Sequence, residues 1–236
     1  MQMTTGLKTP MTNRWPALGL VLLALGCLQY ATAPRANAVE PAAPPEPIEA
    51  DLTTHSPQWV IEHFHAGLIE IMKEAKELGF QGRSDKLAPL MQQTFDLEFM
   101  ASKTVGRLWR KLSDEDQRRW AEIFARFTTA NYAGRFTGYD GEEFVTVGVE
   151  DAPRDTQIVL TKIIVPDGDD VRLNYRMIER DGIWKVIDVF LNGTVSELAL
   201  RRSEYSSALK RHGFEQLVAS VETKIEDLKT KGGADG

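Results

Sequence analysis

The spacing of apolar residues predicts two kinds of element in the chain after residue 55. From Ser56 to about Leu78 apolar residues recur every three or four positions, which predicts a helix with Ser56 as its N-cap. We expect Gly79 and Gly82 to end this helix. The same period predicts three further helices, over residues 86–93, 95–112 and 113–136.

The period then changes to two, which is typical of strands. Alternating apolar residues predict four strands, over residues 144–149, 157–165, 171–177 and 183–191. Short turns separate these strands, and they predict an antiparallel meander. Two helices follow. The first begins at a capping box that opens at Thr194 and ends at Gly213, and the second begins at Phe214. The fold class is therefore α+β, with helices covering a four-stranded sheet.

The N-terminal residues have the pattern of an export signal. Lys8 and Arg14 precede an apolar run over residues 17–28, which is too short for a transmembrane helix of about 20 residues. Small residues in the order small-x-small follow this run. We predict a signal peptide over residues 1–38, cleaved after Ala38, with Ala33 as the alternative site.

Composition divides the rest of the chain into three parts. Residues 39–55 are rich in proline and predict an extended linker. Residues 56–230 carry the periodic patterns and predict one folded domain, and the polar residues 231–236 predict a disordered tail. The single cysteine, Cys27, follows a glycine as in the lipobox of a lipoprotein, but we favour an incidental residue of the signal peptide.

The charge balance excludes one class of partner. The chain has 28 Lys and Arg residues against 34 Asp and Glu residues. Without the three bases of residues 1–38, 25 bases remain against 34 acids, which is a net charge of −9. Such an acidic chain is not expected to bind nucleic acid, and it argues against electrostatic docking on anionic lipid head groups. Lipid held inside the protein is still compatible with this charge.

Few residues point to catalysis or metal binding. Among the four histidines, His63 and His65 face nearly opposite directions on the first helix, so they cannot share a metal ion. We expect these two, His55 and His212 to be packed or solvated. Asp188 lies within an otherwise apolar strand, where it is either a general base or an acid paired with an arginine or turned to the open edge.

The second and fourth strands are apolar on both faces. In the fourth strand, simple alternation puts Trp184, Val186 and Phe190 on one face. Strands of this kind are found in a sheet between two helical layers, or in a sheet with one face lining a cavity for an apolar ligand. The pattern of residues leaves both interpretations open.

The segments 184–196 and 202–205 resemble the signature of the MlaC/toluene-tolerance family of periplasmic lipid-binding proteins, auxiliary components of ABC transporters. Residues 95–100, Trp109 and the helix around residues 124–132 fit the same family pattern, and the likeness spans about residues 57–228. Residues 131–136 and 193–205 are similar to the hopanoid-biosynthesis-associated, HpnM-like branch. The chain departs from the commoner pattern at Arg201-Arg202, where many members have Asn-Tyr.

The resemblance implies a sheet like that of nuclear transport factor 2, with helices enclosing an acyl-chain pocket. It further implies a periplasmic, non-enzymatic, monomeric carrier without cofactor or metal. Its ligand would be a phospholipid or a hopanoid. Its partners would be an inner-membrane transporter complex of ABC or RND type and an outer-membrane lipoprotein. Two alternatives stay open: a small enzyme that uses Asp188, and an envelope adaptor that binds no ligand.

We predict that eight side chains line the pocket, six on the sheet and two on the long helix before it. Taken one at a time, each is also compatible with an ordinary place in the core. The eight residues are Tyr132, Phe136, Val147, Leu160, Tyr175, Trp184, Val186 and Phe190.

Overall fold

The computed structural model describes residues 55–166 and 168–234. The predicted signal peptide, Cys27 and the linker up to residue 54 lie outside this range. The helices in the described part are α1 Pro57–Lys73, α2 Ala75–Thr94, α3 Leu97–Val105, the 3-10 helix Gly106–Lys111, α4 Asp114–Arg135, α5 Glu197–His212 and α6 Phe214–Ala234. The strands are β1 Glu143–Ala152, β2 Thr156–Ile164, β3 Val171–Arg180, β4 Ile183–Leu191 and β5 Val195–Ser196.

The first helix begins where the sequence predicts but ends earlier. The hydroxyl of Ser56 accepts a hydrogen bond from the backbone N–H of Trp59, as expected of an N-cap. The helix α1 stops at Lys73, so the predicted end at Leu78 is wrong. The helix α2 follows and is interrupted at Gly79, whose φ of 58° is outside the helical region.

The predicted helix over residues 95–112 is divided in two. Asp96 caps α3 by accepting a hydrogen bond from the N–H of Phe99. At Gly106 the φ angle is 58°, which ends α3 and starts the 3-10 helix. Ser113 caps α4 through its hydroxyl, which confirms the predicted start of the long helix.

The sheet is antiparallel, and its spatial order β1-β2-β3-β4-β5 is the order of the strands in the chain. This confirms the predicted α+β class and the meander. The prediction of four strands is wrong by one, because residues 195 and 196 pair with the end of β4 as β5. The cap of α5 is consequently Ser196, whose hydroxyl accepts from Ala199, and not the predicted Thr194.

The last helix is longer than the sequence indicates. We expected a disordered tail from residue 231, but α6 continues to Ala234. Its buried residues Leu217, Val218, Val221 and Ile225 follow the helical period and belong to the core. In the described part of the chain, no helix is both long and apolar enough to cross a membrane.

Arg83 joins three helices at one point. Its side chain is 2% exposed, and its guanidinium donates to three backbone carbonyls. The acceptors are Ala75 at 2.9 Å, Ala133 near the end of α4 at 3.0 Å and Gly232 near the end of α6 at 3.1 Å. Carbonyl groups at helix ends lack partners within the helix, so a single arginine satisfies groups of α2, α4 and α6 together.

Candidate functional site

One face of the sheet is covered by helices. The strand register sets Tyr175 directly beside Val159 on β2 and Val189 on β4, so the three side chains share a face. All three are buried. The helix α1 lies against this face and brings Phe64 and His65 next to the Tyr175 ring. The candidate site is this interior between the sheet and the helices.

Aromatic rings from helices and strands meet in this interior. Their neighbouring centroids lie between 4.4 and 6.3 Å apart, mostly in edge-on or tilted arrangements. We call this group the ring cluster. It consists of Phe64, His65, Phe95, Tyr132, Phe136, Phe144 and Tyr175.

A neutral polar pair lies inside the ring cluster. The Nε2 atom of His65 and the hydroxyl of Tyr175 form a hydrogen bond of 3.0 Å. Burial lowers the pKa of His65 to about 3. Burial also raises the pKa of Tyr175 well above its ordinary value. Both groups are therefore uncharged at neutral pH, so the interior contains hydrogen-bonding atoms but no charge from this pair.

Five of the eight predicted pocket residues face this interior. Tyr132 and Phe136, at the end of α4, belong to the ring cluster. Tyr175 and Val186 are fully buried on the helix-covered face. Trp184 is half-buried on the same face. Its register partner on β3 is Glu179, which shares a face with Tyr175 and Met177 because the three residues are two positions apart.

The other three predicted residues do not face the interior. Between Val186 and Asp188 the strand β4 contains one extra residue, Ile187, and this bulge reverses the alternation of side chains. Phe190 therefore lies on the opposite face from Val186. Leu160 is also on that opposite face. Val147 is the extra residue of a second bulge, in β1, and is 64% exposed.

Asp188 holds the end of β4 against the start of α5. Its carboxylate accepts hydrogen bonds from the N–H of Val189 at 2.8 Å, the N–H of Leu198 at 3.1 Å and the hydroxyl of Ser196 at 2.6 Å. Burial raises its pKa, and these three donors and the charge of Arg176 oppose that rise. The carboxylate thus acts as an acceptor for the first turn of α5, and its arginine neighbour is Arg176 across the β3–β4 pair.

The remaining histidines are near the surface or stacked on other rings. His55 and His63 stack on the two sides of the Trp59 indole, at centroid distances of 3.6 and 4.9 Å. His212 is exposed at the end of α5. Within residues 55–166 and 168–234, no three His, Cys, Asp or Glu side chains gather as metal ligands.

The predicted set of eight pocket residues leaves out four members of the ring cluster: Phe64, His65, Phe95 and Phe144. Phe64 lies on the apolar stripe of α1, where the period indicates burial but not which element it contacts. His65 is adjacent to that stripe, and its burial next to Tyr175, 110 residues away, leaves no local signal. The sequence predicts that Phe95 begins a helix. In the structure its backbone instead forms a bridge with Val186 of β4, which places its ring in the interior.

Two surface depressions lie away from the ring cluster. One, of about 530 Å³, is at the β1–β2 turn, and Trp184 and Glu179 form part of its wall. The other, of about 280 Å³, lies between α5 and α6 near Leu217. The first is adjacent to the helix-covered face, because Trp184 belongs to both.

The fold places the chain among α+β domains in which helices close one face of an antiparallel meander over an apolar interior. Residues 62–223 match the protein family described as MlaC protein, which is more than half of the chain. The chain belongs to the MlaC family.

A solved structure supports the fold. The chain is similar to a phospholipid-binding protein from Ralstonia solanacearum, whose structure was determined in complex with a phospholipid. The TM-score is 0.66 at 18% sequence identity, and the match covers 74% of this chain and 99% of that chain. A comparison with curated proteins gave no match.

Proposed function

We propose that the protein is a periplasmic lipid carrier, which binds one membrane lipid in the interior between sheet and helices and moves it between envelope membranes. Membership of the MlaC family carries this proposal. The phospholipid bound by the Ralstonia solanacearum protein, which shares the fold, supports it. We infer that residues 1–38 are a signal peptide that directs export and is then cleaved. The mature protein would act as the soluble component of a transport system, with an inner-membrane transporter complex as its partner.

The ring cluster is where the lipid chains would lie. Ring centroids 4.4–6.3 Å apart leave no space for an acyl chain between them, so a bound lipid requires the rings to move apart. Tyr132 and Phe136 are the members to move, because they are only partly buried and lie where α4 ends. Burying about 15 methylene groups at ~0.8 kcal/mol each would offset the cost of separating the rings.

The arrangement of Asp188 favours binding over catalysis. A general base needs a free lone pair aimed at the substrate, whereas this carboxylate accepts three hydrogen bonds, from Val189 of its own strand, Ser196 of β5 and Leu198 of α5. It also lies on the face of β4 opposite to the ring cluster, since its register partner is Arg176. An enzyme that uses Asp188 would therefore have its catalytic carboxylate outside the candidate site.

The identity of the lipid is a choice between two classes. The Ralstonia solanacearum structure favours a phospholipid. The similarity of residues 131–136 and 193–205 to the HpnM-like branch favours a hopanoid. Flat aromatic rings in the ring cluster suit contact with fused rings as well as with flexible chains, so the ring cluster does not favour one class over the other.

The proposal is tested by extracting lipid from protein purified from its native host and identifying it by mass spectrometry. We expect about one lipid per chain. In a second experiment, the delipidated protein is mixed with vesicles containing equal mole fractions of hopanoid and phospholipid. Recovery of phospholipid alone would rule out the hopanoid while supporting a carrier. Absence of any lipid from both experiments would overturn the proposed function.

A further inference from the structure

The surface around the 3-10 helix Gly106–Lys111 concentrates positive charge. Residues 99–112 contain Lys103, Arg107, Arg110 and Lys111 and no acidic residue. The chain as a whole has the opposite sign, with a formal net charge of −6. This segment therefore differs from the surface around it.

The geometry of the 3-10 helix groups these side chains. With three residues per turn, Arg107 and Arg110 lie one above the other on the outer side. Trp109 points the other way and packs against the core. From α5, the Nε atom of Arg202 comes within 3.3 Å of where a Cβ of Gly106 would lie. We call Lys103, Arg107, Arg110, Lys111 and Arg202 the basic ridge.

The basic ridge has no carboxylate partners in the described part of the chain. All five side chains are exposed, and none of them forms an ion pair there. Other bases nearby are paired, since Arg201 and Lys224 both contact Glu204. The ridge thus keeps its charge available for a partner outside the molecule.

The nearest acids along the chain do not cancel this charge. Asp114, Glu115 and Asp116 follow Ser113 in the first turn of α4, and Glu98 precedes the segment in the first turn of α3. The exposed N–H groups at that end of the helix carry partial positive charge, which offsets part of the charge of these carboxylates. The ridge itself extends in the other direction, from Lys111 back to Lys103 and across to Arg202 on α5.

We propose that the basic ridge docks the protein on an anionic membrane surface. Four exposed bases within residues 103–111, with Arg202 of α5 beside them, attract acidic lipid head groups. The attraction acts over a Debye length of about 8 Å at physiological salt. The acidic remainder of the chain is repelled by the same surface, so the protein approaches with the ridge first. The total charge argues against such docking, but the local arrangement of charge favours it.

Docking is tested by sedimentation with vesicles. The purified protein is mixed with phosphatidylcholine vesicles, or with vesicles that also contain about 30 mol% phosphatidylglycerol, at low and at about 0.5 M salt. We expect the wild type to bind the phosphatidylglycerol vesicles at least tenfold more strongly, and high salt to remove the difference. The double variant Arg107→Glu, Arg110→Glu should lose this preference.

The control is the double variant Lys76→Glu, Lys229→Glu, which changes the net charge equally but lies on α2 and α6. It should keep most of the preference, and far-ultraviolet circular dichroism should show that both variants fold. Equal binding to the two vesicle types, or equal loss in both variants, would overturn the docking proposal. If the protein docks but no lipid is recovered from it in either of the two lipid experiments above, the ridge is supported and the proposed carrier is overturned.

Discussion

His65 and Tyr175 come from α1 and β3, and they form one hydrogen bond in the middle of an apolar interior. The pKa of His65 is lowered by burial to about 3, whereas the ordinary value is 6.5. Between these two values the unfolded chain binds a proton that the folded chain does not bind. Acid therefore favours the unfolded state, and stability is lost as the pH falls through this window.

We predict that the free energy of unfolding decreases by about 1.4 kcal/mol for each pH unit below about 6 because of this one residue. In the variant His65→Gln the side chain is a neutral amide at every pH, so this part of the slope should disappear. Urea denaturation of both proteins at several pH values between about 6 and 4 measures the difference.

The matched control is His63→Gln, which changes a histidine that stacks on Trp59 near the surface. It should retain the pH dependence of the wild type. If His65→Gln kept the full wild-type slope, the buried neutral histidine would not be the cause of the acid sensitivity.

Among the elements, β4 decides which side chains face the candidate site. Its bulge at Ile187 puts Val186 and Val189 on the helix-covered face and moves Phe190 to the other face. Tyr132, on α4, contacts Phe64, Phe95 and Phe136 in the ring cluster. Tyr132 is therefore expected to contact a bound lipid, whereas Phe190 is not.

If the interior holds the lipid, Tyr132→Gln should reduce the amount of bound lipid at least fivefold, because an amide that lacks a partner in an apolar site costs about 1–3 kcal/mol. Phe190→Gln should leave the amount of lipid unchanged. The measurement is the lipid-to-protein ratio after loading from vesicles, with thermal unfolding as a check on folding. A larger loss in Phe190→Gln would place the lipid on the opposite face.

Elements with a local signal could be predicted from the sequence. The caps Ser56 and Ser113 are visible as residue types, and both start helices in the structure. The bulge at Ile187 has no such unambiguous signal, because apolar residues occupy both faces of the strand and Asp188, the charged residue beside the bulge, is compatible with several other interpretations. One extra residue then reverses every later side chain of the strand. This is why Phe190, one of the three predicted pocket residues that do not face the interior, lies on the opposite face.

At the scale of the whole molecule, Arg83 connects distant parts of the chain through hydrogen bonds. Its acceptors Ala75, Ala133 and Gly232 belong to three helices, and the last is 149 residues away. Gly232 allows this approach, because a Cβ there would lie 2.8 Å from the Phe80 ring. The sequence places Arg83 between two predicted helices and gives no indication of this role.

We predict that Arg83→Met lowers the free energy of unfolding by about 2–5 kcal/mol, since it removes the donors to three buried carbonyls. The control is Arg126→Met, which removes an exposed contact of 4.0 Å to Glu222 that also joins α4 and α6. This should cost about 0.5 kcal/mol or less. Equal losses in the two variants, measured by urea denaturation, would contradict a special role for Arg83.

The contact between Arg83 and Gly232 also determines when the fold can be completed. A ribosome, or a channel that threads the chain N-terminus first, releases Arg83 long before residue 232. During that interval the carbonyl of Gly232 is absent, and so is the helix α6 that packs against α4. The final state is therefore reached only when the last helix has emerged, and a chain truncated before residue 232 is expected to stay a recognisable substrate for proteases.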